Sequence, residues 1–177
     1  MVRVSVYNQG MQTLAIFNPE GASPDETSGF DTRFSVRAVM IDGNGSVALI
    51  HSKNPDYYTL PGGGVEIGED PDHAVIRECM EETGYTVEIV SHLGRVVEIK
   101  RSSSRISQIP GYVVRTVGEK GTLDLQPDEV EEGMAVVWVA PDRALRIFED
   151  DVARQKDEHK NIGMRAVAFL RAAFPEL

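Results

Sequence analysis

Between Gly63 and Tyr85 the chain places glycines, carboxylates and one arginine at spacings that leave the backbone few choices. Asp70 suits a helix N-cap, Pro71 the first helical position, Asp72 the positive end of the dipole, and Gly84 the left-handed position just past a C-terminus. These signals predict a helix over 71–83. Each helical residue advances about 100°, so with Glu78 at zero Glu82 falls at about 40° and Glu81 at about 300°. Three carboxylates therefore share a face. Cys79, Thr83, Ile76 and Met80 fall between about 100° and 200°, giving an opposite side suited to burial against a sheet.

Like charges at i, i+3 and i+4 repel by roughly 0.2–0.5 kcal/mol per pair in the open, and by more when partly buried. Arg77 is spaced to pair with Glu81, which leaves Glu78 and Glu82 without a cation of their own. Clustered carboxylates suit a hard divalent cation such as Mg²⁺. Taken alone, the three residues describe a solvated acidic face more readily than a metal site, and the surrounding spacing has to decide.

The rest of the chain reads as one domain with a leader. Residues 1–30 are weakly patterned: Thr13 to Phe17 could add an edge strand, and Glu20 to Ser28 has the composition of a mobile loop. Residues 31–177 read as a single domain. Strand-like runs are expected at Arg33 to Ile41, Ser46 to His51, Tyr57 to Leu60, Tyr85 to Val90, Leu93 to Ile99, Tyr112 to Val117 and Met134 to Val139. The turn Asp42-Gly43-Asn44-Gly45 makes the first two a hairpin, and Ser102-Ser103-Ser104 reads as a loop. Helices are expected at Pro141 to Phe148 and Asn161 to Ala173. Strands mixed with a few helices indicate an α/β or α+β sandwich. The net charge of −10 argues against sequence-independent nucleic-acid binding, which needs Lys and Arg. No apolar run approaches a membrane span, and the start of the chain lacks the features of a secretory signal. A cytoplasmic protein that binds neither nucleic acid nor membrane is expected. A homodimer is left open. Cys79 is the only cysteine, which rules out an internal disulfide and a cysteine-rich zinc site.

The run G-GVEIG-E-DPDHAVI-R-E-C-M-E-E-T-G-Y over 63–85 resembles the Nudix box, G-x5-E-x7-R-E-U-x-E-E-x-G-U. It matches at Gly63, Glu69, Arg77, Glu78, Glu81, Glu82 and Gly84, with Cys79 and Tyr85 at the bulky apolar positions. A chance match is on the order of one in ten million at average residue usage, which sets the solvated-face reading aside. The likeness extends to Leu60-Pro61-Gly62, the preceding hairpin and the acidic loop from Asp124 to Glu132. The resemblance, to the MutT-like nucleotide pyrophosphohydrolases among Nudix hydrolases, implies an α/β/α sandwich around a mixed β-sheet. It also implies water attack on phosphorus in a nucleoside di- or triphosphate, or in a nucleoside diphosphate linked to another moiety, with Mg²⁺ as cofactor and Mn²⁺ as a possible substitute.

Carried over by position, Glu78 and Glu82 are the principal metal ligands and Glu81 is a third ligand or base. The Gly63 carbonyl completes the shell, Arg77 and Glu69 hold loop and helix in place, and Gly62, Gly64 and Gly84 support the site. Nudix enzymes often supply a further carboxylate from outside the box. Of Glu129, Glu131 and Glu132, the last is the expected base, because Gly133 would let its loop turn toward the metal and close over the substrate. Arg37 and Tyr58 are candidates for phosphate and base contacts, although packing or surface roles fit each of them as well. A downstream S-Q-P-W-P-type run and the subclass proline and tyrosine beyond the box are absent, so the substrate stays open. The competing reading is a Nudix ligand-binding or protein-interaction module without turnover, which would have no need to keep Glu78, Glu81 and Glu82 together. An isopentenyl-diphosphate-type isomerase is a weaker alternative, since no second acid/base cysteine is present.

Overall fold

The computed structural model describes residues 10–118, 120–122, 130–155 and 158–177. Eight strands form one mixed sheet: β1 (Thr13–Phe17), β2 (Asp31–Phe34), β3 (Arg37–Ile41), β4 (Val47–Lys53), β5 (Asp56–Thr59), β6 (Thr86–Lys100), β7 (Arg105–Val117) and β8 (Ala135–Val139). The main order is β1-β6-β7-β3-β4-β5, with β2 on β7 and β8 on β4. β1 pairs parallel to β6, and β2 and β3 pair parallel to successive stretches of β7; the remaining pairs are antiparallel. The helices include α1 (Pro24–Thr27), α2 (Pro71–Thr83), α3 (Pro141–Arg154) and α4 (Glu158–Ala173).

Alternation along the strands divides the core into two layers. Val39, Val47 and Leu49 face Leu145, Phe148, Phe169 and Leu170 of α3 and α4, while Ala38, Met40 and Ala48 face Ala74, Val75 and Cys79 of α2. Successive side chains of a strand point to opposite faces, so a strand covered on both sides reads as a continuous apolar run. The result is the expected α/β/α sandwich. None of the described helices is long and apolar enough to cross a membrane.

Closeness of packing is clearest at Gly111 of β7, where an added methyl would overlap the Phe169 ring. Gly111→Ala is expected to cost about 1–3 kcal/mol through overpacking. That loss should appear as a lower urea midpoint at unchanged m-value.

Several expected boundaries move, each for a long-range reason. Arg33 to Ile41 is broken at Ser35 and Val36, where the chain also pairs with the glycine loop: Ser35 bridges Gly64 while its N–H donates to the Gln108 carbonyl of β7, and Val36 N–H donates to the Gly63 carbonyl at 2.9 Å. The two runs 85–90 and 93–99 are one strand, since β7 pairs along its whole length and absorbs irregularities at Ile89/Ser91 and His92/Gly94 as bulges. β7 in turn begins at Arg105, well before Tyr112, and Arg101–Ser103 is a 3₁₀ turn. Instead of a mobile loop, Glu20 to Ser28 holds the capped helix α1, in which Ser23 and Glu26 satisfy each other's backbone N–H groups. Glu20 accepts from the Ser102 N–H at 2.6 Å. The last two helices are longer than expected, α3 running to Arg154 and α4 starting at Glu158.

Candidate active site

α2 has the predicted bounds and caps. The Asp70 side chain accepts from Asp72 N–H, and Gly84 takes the left-handed conformation at φ 75° with its N–H on the Met80 carbonyl. The buried side is only in part the predicted one, since Cys79 and Thr83 are buried as expected. Pro71, Ala74, Val75, Cys79, Glu82 and Thr83 are buried, whereas Met80 is 42% exposed and Ile76 lies at the rim. On the helical wheel the buried arc is therefore rotated toward the carboxylates, and Glu82 lies within it at 6% exposure. The glycine loop makes this possible. Gly62 N–H donates to Glu82 Oε2 at 2.7 Å, a charge-assisted bond that compensates the loss of water. Gly62 itself, at φ 132°, has no room for a side chain, because a Cβ would collide with the Val36 carbonyl.

Gly63 stands over Glu78. A Cβ there would lie 2.5 Å from both oxygens of the Glu78 carboxylate, so the missing side chain is what lets that group pack directly against the loop backbone. Burial pushes the Glu78 carboxyl above its usual range, against the opposing effect of Arg77. The Gly63 carbonyl already accepts from Val36 N–H, and its second lone pair remains for another partner.

Arg77 does more than pair with Glu81. Its Nε and Nη2 clasp Glu69 at 2.8 and 3.0 Å, Nη1 reaches Glu78 and Glu81 at 3.0 Å each, and Nη2 also donates to the Gly64 carbonyl at 3.0 Å. These contacts engage all five guanidinium N–H groups. The expectation that Glu78 would lack a cation is thus corrected, because the planar fork reaches two carboxylates from one nitrogen. Hydrogen bonding to Arg77 holds the Glu69 carboxyl below its usual range. Lysine offers a point charge with no fork, so Arg77→Lys is expected to lower kcat/KM by about 10- to 100-fold, the range for losing a residue that orients metal ligands. Wild-type kcat/KM and an unchanged Mg²⁺ dependence in that variant would refute an orienting role.

Arg37 points to the face opposite α2, with Nη1 on the Val36 carbonyl at 2.7 Å and an enclosed Nε that has no hydrogen-bond partner among the described residues. Burial and the neighbouring Arg165 bring its pKa down to about 10, while Glu82, Glu78 and Glu98 act the other way. Arg165 is itself buried and pairs with Glu98 at 2.7 Å. Tyr58 is committed elsewhere: its ring stacks on His51 at 4.4 Å between centroids and packs against the α3/α4 layer. Its neighbour Tyr57 instead turns its hydroxyl to Glu132, to which it donates.

Glu132 lies on a fastened loop rather than a hinged one. Its carbonyl accepts from Lys53 and Asn54 N–H at 3.0 and 3.3 Å, and its Oε2 accepts from Ser52 Oγ at 3.2 Å and Tyr57 Oη at 3.3 Å. Gly133, at φ 67°, closes the preceding turn by donating to the Val130 carbonyl. Glu131 is exposed, and Glu129 lies outside the described residues. Sequence reasoning passed over Ser52, Tyr57 and Arg165, because nothing near them in the chain marks them out. It also passed over Arg33, which has one Nη 3.5 Å from where a Gly64 Cβ would stand.

Residues 31–160, which contain the carboxylate-bearing helix and its glycine loop, match the model of the NUDIX domain. The chain belongs to the NUDIX domain family. It is accordingly a hydrolase of the class that acts on phosphorus-containing anhydrides. It is 34% identical over 108 residues to a MutT-like protein of Streptomyces ambofaciens, covering 59% of this chain and 70% of the relative. It is 30% identical over 134 residues to diphosphoinositol polyphosphate phosphohydrolase 2 of Rattus norvegicus, covering 75% and 71%. A solved NUDIX hydrolase from Nitrosomonas europaea shares the fold at TM-score 0.61 and 17% identity, covering 83% of this chain and 96% of that one.

Proposed function

We propose that this Nudix hydrolase is a Mg²⁺-dependent pyrophosphohydrolase that cleaves a phosphoanhydride bond in a nucleoside di- or triphosphate, or in a nucleoside diphosphate linked to another moiety, by water attack at phosphorus. The observation that carries this reading is the pair Glu78 and Glu82, both desolvated on one helix face and both turned to the Gly62–Gly63 backbone. Burying two carboxylates side by side is costly unless something positive completes them.

We choose Mg²⁺ because it is usually held by one or two carboxylates together with waters and substrate phosphate oxygens, and among the described residues no larger His, Cys, Asp or Glu cluster is grouped to hold an ion. Glu78 and Glu82 would be the principal ligands, with the Gly63 carbonyl and Glu81 beside them and Mn²⁺ a workable substitute. When bound, the cation supplies charge neutralisation of the diphosphate and a more acidic water. Arg77 and Glu69 keep the carboxylates oriented. Arg37 stays our candidate for a phosphate contact by its charge near Glu78 and Glu82, a role that would require its enclosed Nε to be uncovered, and Arg33, close to Gly64, is a candidate for a second anionic group. Glu132, outside the helix, is our choice for the base that accepts the water proton. A carboxylate bound directly to a metal is a poorer proton acceptor, and Glu81 is engaged by Arg77.

The test is a screen of nucleoside triphosphates, oxidised nucleotides, sugar nucleotides, ADP-ribose, dinucleoside polyphosphates and a diphosphoinositol polyphosphate. Release of phosphate or pyrophosphate would be followed with and without Mg²⁺. Turnover of a nucleotide with Mg²⁺ and none in chelator is the expected result. Preference for the inositol compound would shift the substrate class toward that of the rat relative, although a net charge of −10 weighs against so anionic a ligand. If none of the compounds turned over, the ligand-binding module would be the better reading.

A further inference from the structure

Sequence distance hides the surroundings of Glu132. Its Oε2 is held from two sides by hydroxyls contributed by β4 and β5, whereas its Oε1 accepts no hydrogen bond among the described residues. One oxygen is thus anchored while the other has no such bond among the described residues, the asymmetry that suits a carboxylate taking a proton from a positioned water. The two hydroxyls are not equivalent. Ser52 Oγ has a single proton and two acceptors, the Pro55 carbonyl at 2.8 Å and Glu132 at 3.2 Å, so its proton is shared with the nearer carbonyl. Tyr57 Oη has Glu132 as its one hydrogen-bond acceptor among the described residues.

We infer that Tyr57 is a positioning residue for the hydrolysis, its hydroxyl holding the Glu132 carboxylate so that the free oxygen faces the attacking water, with Ser52 as a weaker second support. This rests on the reading of Glu132 as the base. The geometry around the hydroxyl agrees. Burial and the negative charge of Glu132 push the Tyr57 phenol up to about 12, so it remains a donor wherever the enzyme works. Its ring lies 4.7 Å from that of His159 on α4, which fixes the ring independently of the hydroxyl. The backbone bonds from Lys53 and Asn54 to the Glu132 carbonyl keep loop and hairpin in register. Removing the hydroxyl alone therefore leaves the frame standing and frees only the carboxylate.

The experiment is a double-mutant cycle on the full chain, using the nucleotide and Mg²⁺ concentrations that give turnover, with thermal unfolding to confirm that each variant is folded. Tyr57→Phe keeps the ring and its contact with His159. It is expected to lower kcat about tenfold, the effect of losing one hydrogen bond to a charged group, at unchanged KM and unchanged Mg²⁺ dependence. In a Glu132→Gln background the same change is expected to cost nothing further, because the group it positions is already lost. Ser52→Ala should show the same pattern with a smaller loss. If Glu132→Gln is impaired but Tyr57→Phe keeps wild-type kcat, or lowers it equally in both backgrounds, Tyr57 does not act through Glu132 and the inference fails while the base assignment stands. If Glu132→Gln itself turns over normally, the base assignment falls and the inference with it.

Discussion

Glu132→Gln is expected to lower kcat by about 10² to 10⁴, the range for loss of general base catalysis, while leaving the Mg²⁺ concentration dependence close to wild type. The substitution keeps the shape of the side chain and the backbone bonds from Lys53 and Asn54 to the Glu132 carbonyl. The amide oxygen can still accept from Ser52 and Tyr57, so the loop should stay where it is. What disappears is the proton acceptor. Steady-state kinetics over a Mg²⁺ series would separate the effects: a fall in kcat alone marks a base, whereas a rise in the Mg²⁺ needed for half activity marks a ligand. Normal turnover, with the loss appearing in Glu81→Gln instead, would move the base to the helix.

Glu82→Gln should change the Mg²⁺ dependence as well. Mg²⁺ affinity and turnover are expected to fall together, turnover by about 100-fold or more, since a metal ion's share of transition-state stabilisation is several kcal/mol and each 1.36 kcal/mol is a decade in rate. Stability should change little. The glutamine oxygen can keep the 2.7 Å bond from Gly62 N–H, and removing a buried negative charge beside Glu78 relieves repulsion while weakening that hydrogen bond. Thermal unfolding in chelator would show a midpoint near wild type. The Mg²⁺-dependent rise of that midpoint, present in the wild type because a ligand binding only the folded state stabilises it, would be reduced. A variant with wild-type activity and the full Mg²⁺ shift would remove Glu82 from the metal site.

What the sequence determined by itself was local. The bounds of α2 were legible from Asp70, Pro71 and Gly84, because caps and dipole preferences act within one helical turn. β1 was legible at Thr13–Phe17 for a similar reason, and the box spacing disclosed the family. The tertiary structure decided how these pieces face one another. The wheel placed Glu82 on a charged face, but packing against β3 and β6 turned it inward, where the Gly62 amide, twenty residues away, donates to it. The composition of Arg33 to Ile41 suggested one strand, and it is broken at Ser35 and Val36, where the chain also pairs with the glycine loop. Glu132 read as a hinged loop residue, because the groups that fasten it are Ser52 and Tyr57, 80 and 75 residues distant. A cap or a turn is a preference of adjacent residues and is written in their order. Which carboxylate is desolvated, and which hydroxyl holds it, depends on strand pairing and helix rotation, and those are settled by burying the two apolar layers of the whole domain at once.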